Sequence, residues 1–264
     1  MIIDTHAHYD DEAFDIDRDG LINNFNNENV GLVVNVGASL KGCEDTLKLT
    51  KKYPNVYGAL GVHPSDVEEL NEEKLSWLKD SLISNALYNG GKIVALGEIG
   101  LDYYYEDPPK DIQIEMFKKQ LDIAKEVKLP VIIHSRDAAK DTLDILKEYY
   151  NEGISGIIHC YSYSAEIATE YLKMGYYFGI GGVLTFKNAR KLIETVEIIP
   201  IESIVLETDS PYLTPVPHRG ERNDSSKLKY VVEKLAEIKG ISEEEVIKIT
   251  EENARRVYRL DANA

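Results

Sequence analysis

Cysteine and long apolar runs are scarce in this chain, and each scarcity excludes a class of protein. Two cysteines in 264 residues cannot build a disulfide framework or a four-cysteine zinc cluster. No apolar stretch approaches the ~20 residues of a membrane-spanning helix, and no basic segment followed by an apolar run opens the sequence. The sequence predicts a cytoplasmic protein with reduced thiols and no membrane association.

Positive charge is also scarce. The chain has 30 Lys and Arg against 46 Asp and Glu, which gives a formal net charge of −16. Long-range repulsion of a polyanion argues against a protein that coats nucleic acid non-specifically. Many of the Asp and Glu residues lie on helix faces that are predicted to be exposed to solvent. The negative net charge is therefore compatible with a local cationic site.

Eight short apolar, β-branched runs recur between longer amphipathic stretches. They cover Ile2 to His6, Gly31 to Gly37, Val56 to Val62, Lys92 to Glu98, Pro130 to Ser135, Ile154 to Cys160, Tyr176 to Gly181 and Ser203 to Asp209. Continuous Val/Ile/Leu runs are typical of parallel strands covered by helices. The alternation predicts an α/β fold, a (β/α)8 TIM barrel that forms a single domain over residues 1–264, although an open doubly wound sheet would give a similar pattern.

Helical periodicity fills the segments between these runs. Asp111 to Val127 places apolar residues at three- and four-residue steps, and Ser242 with Glu245 resembles a capping box that opens a final helix. Further helices are predicted at Ala138 to Tyr150, Glu166 to Lys173 and Lys227 to Ile238.

Histidine and carboxylate residues occur at or just beyond the carboxyl ends of five of the predicted strands. The candidate metal ligands are His6, His8, Glu98, His134, His159 and Asp209. A barrel brings the carboxyl ends of its strands to one rim, and packing alone would not compensate the desolvation of such a group. Six ligands exceed the needs of one catalytic zinc. We therefore expect two divalent cations, zinc, manganese, nickel or cobalt and less comfortably magnesium, bridged by Glu98 in preference to Asp209.

Six motifs carry a resemblance to a known family. They are Thr-His-Ala-His at residues 5–8, Gly-Val-His-Pro at 61–64, Gly-Glu-Ile-Gly-Leu-Asp at 97–102, His-Ser-Arg at 134–136, His-Cys-Tyr at 159–161 and Glu-Thr-Asp-Ser-Pro-Tyr-Leu at 207–213. In this order they resemble the TatD family of metal-dependent deoxyribonucleases across essentially the whole chain. The resemblance implies a barrel of the amidohydrolase superfamily with two divalent metals that hydrolyses phosphodiester bonds of DNA, often from the 3′ end.

The resemblance also implies a division of the ligands. His6, His8, Glu98 and Asp209 would hold one metal, and Glu98 with His134 and His159 would hold the second.

Further residues have candidate roles around the metals. Asp209 could orient or deprotonate the attacking water, and His63 could contact phosphate or protonate the leaving group, with a structural role for His63 as the alternative. Arg136 is a candidate phosphate clamp or, alternatively, a salt-bridge partner of a nearby acid. Arg222 belongs to a segment that resembles the family's Arg-x-x-Arg-Asn element and is a candidate substrate contact, but Asp224 and Ser225 replace the Glu-Pro that often follows.

The expected substrate is DNA presented as ends, single strands or short fragments, because the acidic body should disfavour long duplexes. One rival function is a dinuclear amidohydrolase that acts on a carboxylic ester or amide such as D-aminoacyl-tRNA. Another is a metal-dependent scaffold without turnover. No obligate protein partner is evident from the sequence.

Overall fold

Parallel strands follow one another in chain order around one sheet in the computed structural model, which describes residues 1–260. Within that range the eight strands are β1 (Ile2–Ala7), β2 (Val30–Gly37), β3 (Val56–Leu60), β4 (Ile93–Asp102), β5 (Val131–Arg136), β6 (Gly156–Ile158), β7 (Tyr177–Ile180) and β8 (Ile204–Leu206). A parallel bridge joins Ala7 of β1 to Ser210 beyond β8, and the Asp209 amide donates to the His6 carbonyl at 2.9 Å. The sheet is thus a nearly closed barrel.

Helices cover the outside of the barrel. They are α1 (Arg18–Asn24), α2 (Leu40–Lys52), α3 (Glu72–Asn85), α4 (Lys110–Val127), α5 (Ala139–Tyr149), α6 (Ala165–Lys173), α7 (Arg190–Ile198), α8 (Leu228–Lys239) and α9 (Glu243–Val257). The buried face of α4 includes Phe117 and Leu121, as the periodicity predicts, and the capping box of Ser242 with Glu245 is present at the start of α9. Across residues 1–260, no helix combines the length and apolarity that crossing a bilayer requires.

The single-domain (β/α)8 barrel predicted from the sequence is confirmed for the described part of the chain; residues 261–264 of the predicted domain lie outside it. Several strand ends differ from the prediction, and three of the differences bear on the site. β4 does not end at Glu98 but continues to Asp102, because its last residues pair in register with β5 up to Arg136. β6 and β8 are shorter than predicted, so His159 and Asp209 lie in the loops that follow them.

A buried carboxyl fastens the loop after β8 to the first strand. Asp4, fully buried in β1, accepts hydrogen bonds from the Thr208 hydroxyl at 2.7 Å and the Ser225 hydroxyl at 2.6 Å. Burial raises the pKa of Asp4 to about 7, although these hydrogen bonds oppose the shift. Ser225 occupies the position at which proline often occurs in the family it resembles. Its hydrogen bond to Asp4 holds the β8–α8 connection against the barrel.

Candidate metal centre

Glu98 lies at the centre of the rim, and its two oxygens face different histidines. Its Oε2 lies 3.4 Å from His6 Nε2 and 4.0 Å from His8 Nε2. Its Oε1 lies 2.8 Å from His134 Nδ1 and 3.8 Å from His159 Nε2. A carboxylate placed in this way can bind a different cation with each oxygen.

The histidines of the first strand approach each other closely. Nε2 of His6 lies 3.1 Å from Nε2 of His8, while Nδ1 of His8 is 2.8 Å from the Val36 carbonyl oxygen. Because a carbonyl only accepts, Nδ1 of His8 carries a proton, and neutral His8 then presents an Nε2 lone pair to the rim. A metal-binding histidine is commonly oriented by a second-sphere bond of this kind.

Asp209 lies beside the two histidines of β1 and beside His159. Its Oδ1 lies 3.4 Å from His8 Nε2, 3.8 Å from His6 Nε2 and 3.6 Å from His159 Nε2. Ligand atoms of His6, His8 and Asp209 all lie within 4.8 Å of one another, as do those of His6, Glu98 and His159. Nitrogen and carboxylate donors at these separations suit a divalent transition metal.

Two further carboxylates contact the remaining histidines. Asp102 Oδ2 accepts from His134 Nε2 at 3.0 Å, and Glu207 Oε2 lies 3.0 Å from His159 Nδ1. The hydrogen bond to Asp102 fixes Nε2 of His134 and directs its Nδ1 towards Glu98. The contact of Glu207 with His159 Nδ1 is an ion-pair contact without hydrogen-bond geometry, and it leaves Nε2 of His159 on the side of Glu98. Neither Asp102 nor Glu207 had a predicted role. Strand alternation would have indicated Asp102, which is four residues after Glu98 in β4. Glu207 and Asp209 lie beyond the end of β8, where no strand period applies.

The donor set fits bound cations on electrostatic grounds. When Asp102 accepts the Nε2 proton of His134, the Nδ1 lone pair of neutral His134 faces the Glu98 carboxylate at 2.8 Å. Two acceptors at this distance repel each other unless a proton or a cation lies between them. His6 Nδ1 is moreover buried without a hydrogen-bond partner among the described residues. A cation between the facing acceptors would remove the repulsion.

Without a cation, protons on the histidines provide this compensation. Burial alone would lower the pKa of His8 and of His159, but the surrounding carboxylates outweigh it and raise these pKa values to about 9 and about 10. Burial alone would raise the pKa of Glu98 and Asp209, yet the adjacent histidines hold both below their ordinary values. The carboxylates are therefore ionised at neutral pH, which is the state that binds metal.

His63 lies beside the group with a defined tautomer. Its Nδ1 accepts from the Ser65 amide at 3.1 Å, so the proton of the neutral ring is on Nε2, which lies 4.0 Å from Glu98 Oε1. Burial lowers the pKa of His63 to about 4, and the ring is neutral at pH 7. His63 thus offers an N–H donor to the rim. It also has a structural role, because it caps the 3-10 turn at Pro64–Glu69.

All of these groups except His6 and Glu207 line one cavity of about 820 Å³. Its lining includes six carboxylates, and Arg136 is the single Lys or Arg among the described lining residues.

The guanidinium of Arg136 stacks on the Tyr104 ring at 3.7 Å. No carboxylate within residues 1–260 pairs with Arg136, so the salt-bridge alternative is wrong for this structure. Stacking occupies the guanidinium face and leaves its N–H edge for an anion.

Arg222 occupies a different position. Its guanidinium binds the Asp17 carboxylate at 2.6 and 2.9 Å, and the residue is not part of the cavity lining. Its neighbour Asn223 is buried and donates to the carbonyls of Thr208 and Tyr212 at 3.0 and 2.7 Å. This segment therefore supports the loop that carries Asp209, and the substrate contact of Arg222 stays a prediction.

Comparisons with known proteins agree with this architecture. A family model described as TatD related DNase matches residues 3–259. The uncharacterized metal-dependent hydrolase YabD of Bacillus subtilis is 44% identical over 261 residues, covering 99% of this chain and 100% of that protein. The uncharacterized metal-dependent hydrolase YcfH of Escherichia coli K12 is 36% identical, covering 100% and 97%. The crystal structure of YJJV, a TatD homolog from Escherichia coli K12, superposes with a TM-score of 0.90 at 29% identity over 98% of each chain.

Proposed function

The chain belongs to the TatD family of metal-dependent hydrolases, and from that premise we propose that it hydrolyses phosphodiester bonds of DNA at ends or in single strands. The observation that carries the proposal is Glu98, whose Oε2 faces the two histidines of β1 and whose Oε1 faces His134 and His159. Paired cations that share a carboxylate are suited to the displacement of an alkoxide from phosphate.

The proposed ligand sets are those that membership of the family implies, and the contacts of Glu98 are compatible with them. His6, His8, Glu98 and Asp209 would hold one divalent cation, which would be zinc, manganese, magnesium, nickel or cobalt. Glu98, His134 and His159 would hold the second, and Asp102 and Glu207 would lie behind its two histidines as second-sphere carboxylates. When bound, the two cations supply positive charge for the phosphate and for the developing charge on the attacking and leaving oxygens.

Side chains of the protein would accept and donate the protons of the reaction. Asp209, ionised at neutral pH, lies at the same rim and accepts the proton of the attacking water. Glu98 stays ionised and fixes the spacing of the histidines on both sides. His63 directs its Nε2–H into the cavity, where it donates to a phosphate oxygen or to the leaving oxygen.

Arg136 binds the phosphate from the cavity mouth. Its in-plane N–H groups match the oxygens of a phosphate, and Tyr104 fixes the plane in which they lie. The cavity residues are otherwise acidic, so an empty cavity would repel DNA and a cation-loaded one would attract it. The acidic exterior favours ends, single strands and short fragments over long duplexes. A cytoplasmic location is proposed on the sequence alone.

The test is a digestion of labelled single-stranded oligonucleotides by protein loaded with Mn²⁺, run beside an aminoacyl ester. The proposal predicts a ladder of shortened products and a loss of at least about a thousandfold in kcat for Glu98→Gln. Glu221→Gln, an exposed carboxylate of the β8–α8 connection, is the matched control and should behave as wild type. Hydrolysis of the ester with no cleavage of any oligonucleotide would contradict the proposal and would indicate an enzyme that acts on carboxylic esters or amides.

A further inference from the structure

Tyrosine rings cluster at the mouth of the cavity. The most exposed tyrosines among residues 1–260 are Tyr104, Tyr105 and Tyr212, at 57%, 56% and 55% of their surface. Tyr105 and Tyr212 line the cavity, and Tyr104 lies against Arg136, which also lines it. Single exposed apolar groups are ordinary on a protein surface, whereas a cluster at a site mouth marks a binding surface.

The first part of the cluster is an aromatic and cationic stack. Tyr104 and Tyr105 meet edge to face with ring centroids 4.9 Å apart, and the Arg136 guanidinium lies 3.7 Å from one centroid and 5.7 Å from the other. The Tyr104 amide donates to Asp102 Oδ1 at 2.9 Å, and the same carboxylate accepts from His134. The stack is therefore tied to the metal centre by one buried group.

The second part is the ring of Tyr212, in the loop after β8. Its amide donates to the Asp209 carbonyl at 2.8 Å and its hydroxyl donates to Asp11 Oδ2 at 3.0 Å. The backbone and the tip of this side chain are thus fixed, while more than half of the residue surface remains open to solvent. A ring held in this way loses little entropy when a flat ligand stacks on it.

We propose that Tyr105 and Tyr212 are stacking positions for the nucleobases next to the scissile phosphate, so that the enzyme selects unpaired nucleotides. The inference rests on the proposed function, because the phosphate at the metal centre determines where the adjacent bases lie. Aromatic rings bind single-stranded nucleic acid by stacking on bases without reading their sequence. Bases inside a duplex are already stacked and do not offer their faces to either ring.

The test is a kinetic comparison of two substrates, a short single-stranded oligonucleotide and an abasic oligomer of the same length, with the Mn²⁺-loaded enzyme. Tyr105→Leu and Tyr212→Leu should raise KM for the natural oligonucleotide roughly tenfold with little change in kcat. Neither variant should change KM for the abasic oligomer. Tyr105→Phe and Tyr212→Phe keep the ring and should restore the wild-type KM, which separates stacking from the hydroxyl bond to Asp11.

Tyr150→Leu is the matched control, since Tyr150 is 46% exposed in the connection between α5 and β6, at the opposite end of the barrel. The inference is overturned if the wild-type enzyme cleaves both substrates with the same KM. It is also overturned if the Leu variants raise KM equally for both substrates. The proposed function would survive either result. Failure of the wild-type enzyme to cleave any oligonucleotide would remove the proposed function and the inference with it.

Discussion

Replacing Asp102 with asparagine tests the role of the carboxylates behind the metal centre. Asp102 accepts two hydrogen bonds, from the Tyr104 amide at 2.9 Å and from His134 Nε2 at 3.0 Å. Asparagine has one oxygen for these two donors. Since a buried amide left without an acceptor costs about 1 to 3 kcal/mol, the asparagine oxygen should stay with Tyr104 and its amino group should face His134.

This exchange reverses the tautomer of the histidine. An amino group that faces Nε2 of His134 needs a lone pair there, so the proton moves to Nδ1, the nitrogen that lies 2.8 Å from Glu98. A protonated Nδ1 cannot bind a cation. Loss of an orienting partner typically lowers metal affinity by about 10- to 100-fold, equivalent to about 1.4 to 2.8 kcal/mol.

The assay is a titration of the metal-free protein with Mn²⁺ by calorimetry, with activity followed at limiting Mn²⁺. Asp102→Asn should weaken one of two binding events by that factor and leave the other close to wild type. Asp141→Asn is the control, because its carboxylate accepts from the Tyr103 hydroxyl at 2.9 Å rather than from a histidine. Wild-type affinity and activity in a folded Asp102→Asn protein would refute the reasoning.

Three further outcomes are expected. The pKa values of His8 and His159 are raised, so their protonation stabilises the metal-free fold fully below about pH 6.5, and this contribution is lost as the pH rises through about 9 to about 10. Because protons compete with Mn²⁺ for these nitrogens, the Mn²⁺ affinity should increase as the pH rises towards these values and level off above them; calorimetry showing a pH-independent affinity would contradict this. Arg136→Lys should raise KM for oligonucleotides about tenfold in steady-state assays, because lysine lacks the planar fork that stacks and binds phosphate; an unchanged KM counts against the clamp. Asn223→Ala removes two buried hydrogen bonds and should lower the free energy of unfolding in urea by about 1 to 3 kcal/mol, and equal midpoints and slopes for the two proteins would show that the bonds contribute nothing.

The barrel and the convergence of its rim residues could be predicted from the sequence because strand period and chain order determine them. Apolar runs gave all eight strands, and the rule that parallel strands end at one edge placed His6, Glu98 and Asp209 together. The end of β4 could not be predicted. Glu98 is polar and interrupts an apolar run, yet pairing with β5 carries the strand on to Asp102.

Side-chain partners were harder to predict than positions. The role of Asp102 depends on where the His134 ring lies, and strand alternation gives only the face on which both residues point. Arg222 shows the opposite case, because a motif suggested a substrate contact and the structure pairs the side chain with Asp17. Such pairing depends on the conformation of two loops that lack a periodic sequence signal.

Anomalous diffraction from crystals soaked with Mn²⁺ would show whether Glu98 joins two cations. The account predicts two peaks about 3.5 to 4 Å apart, one beside each oxygen of Glu98, with His6 and His8 at the first and His134 and His159 at the second. A single peak, or peaks that do not contact Glu98, would contradict it.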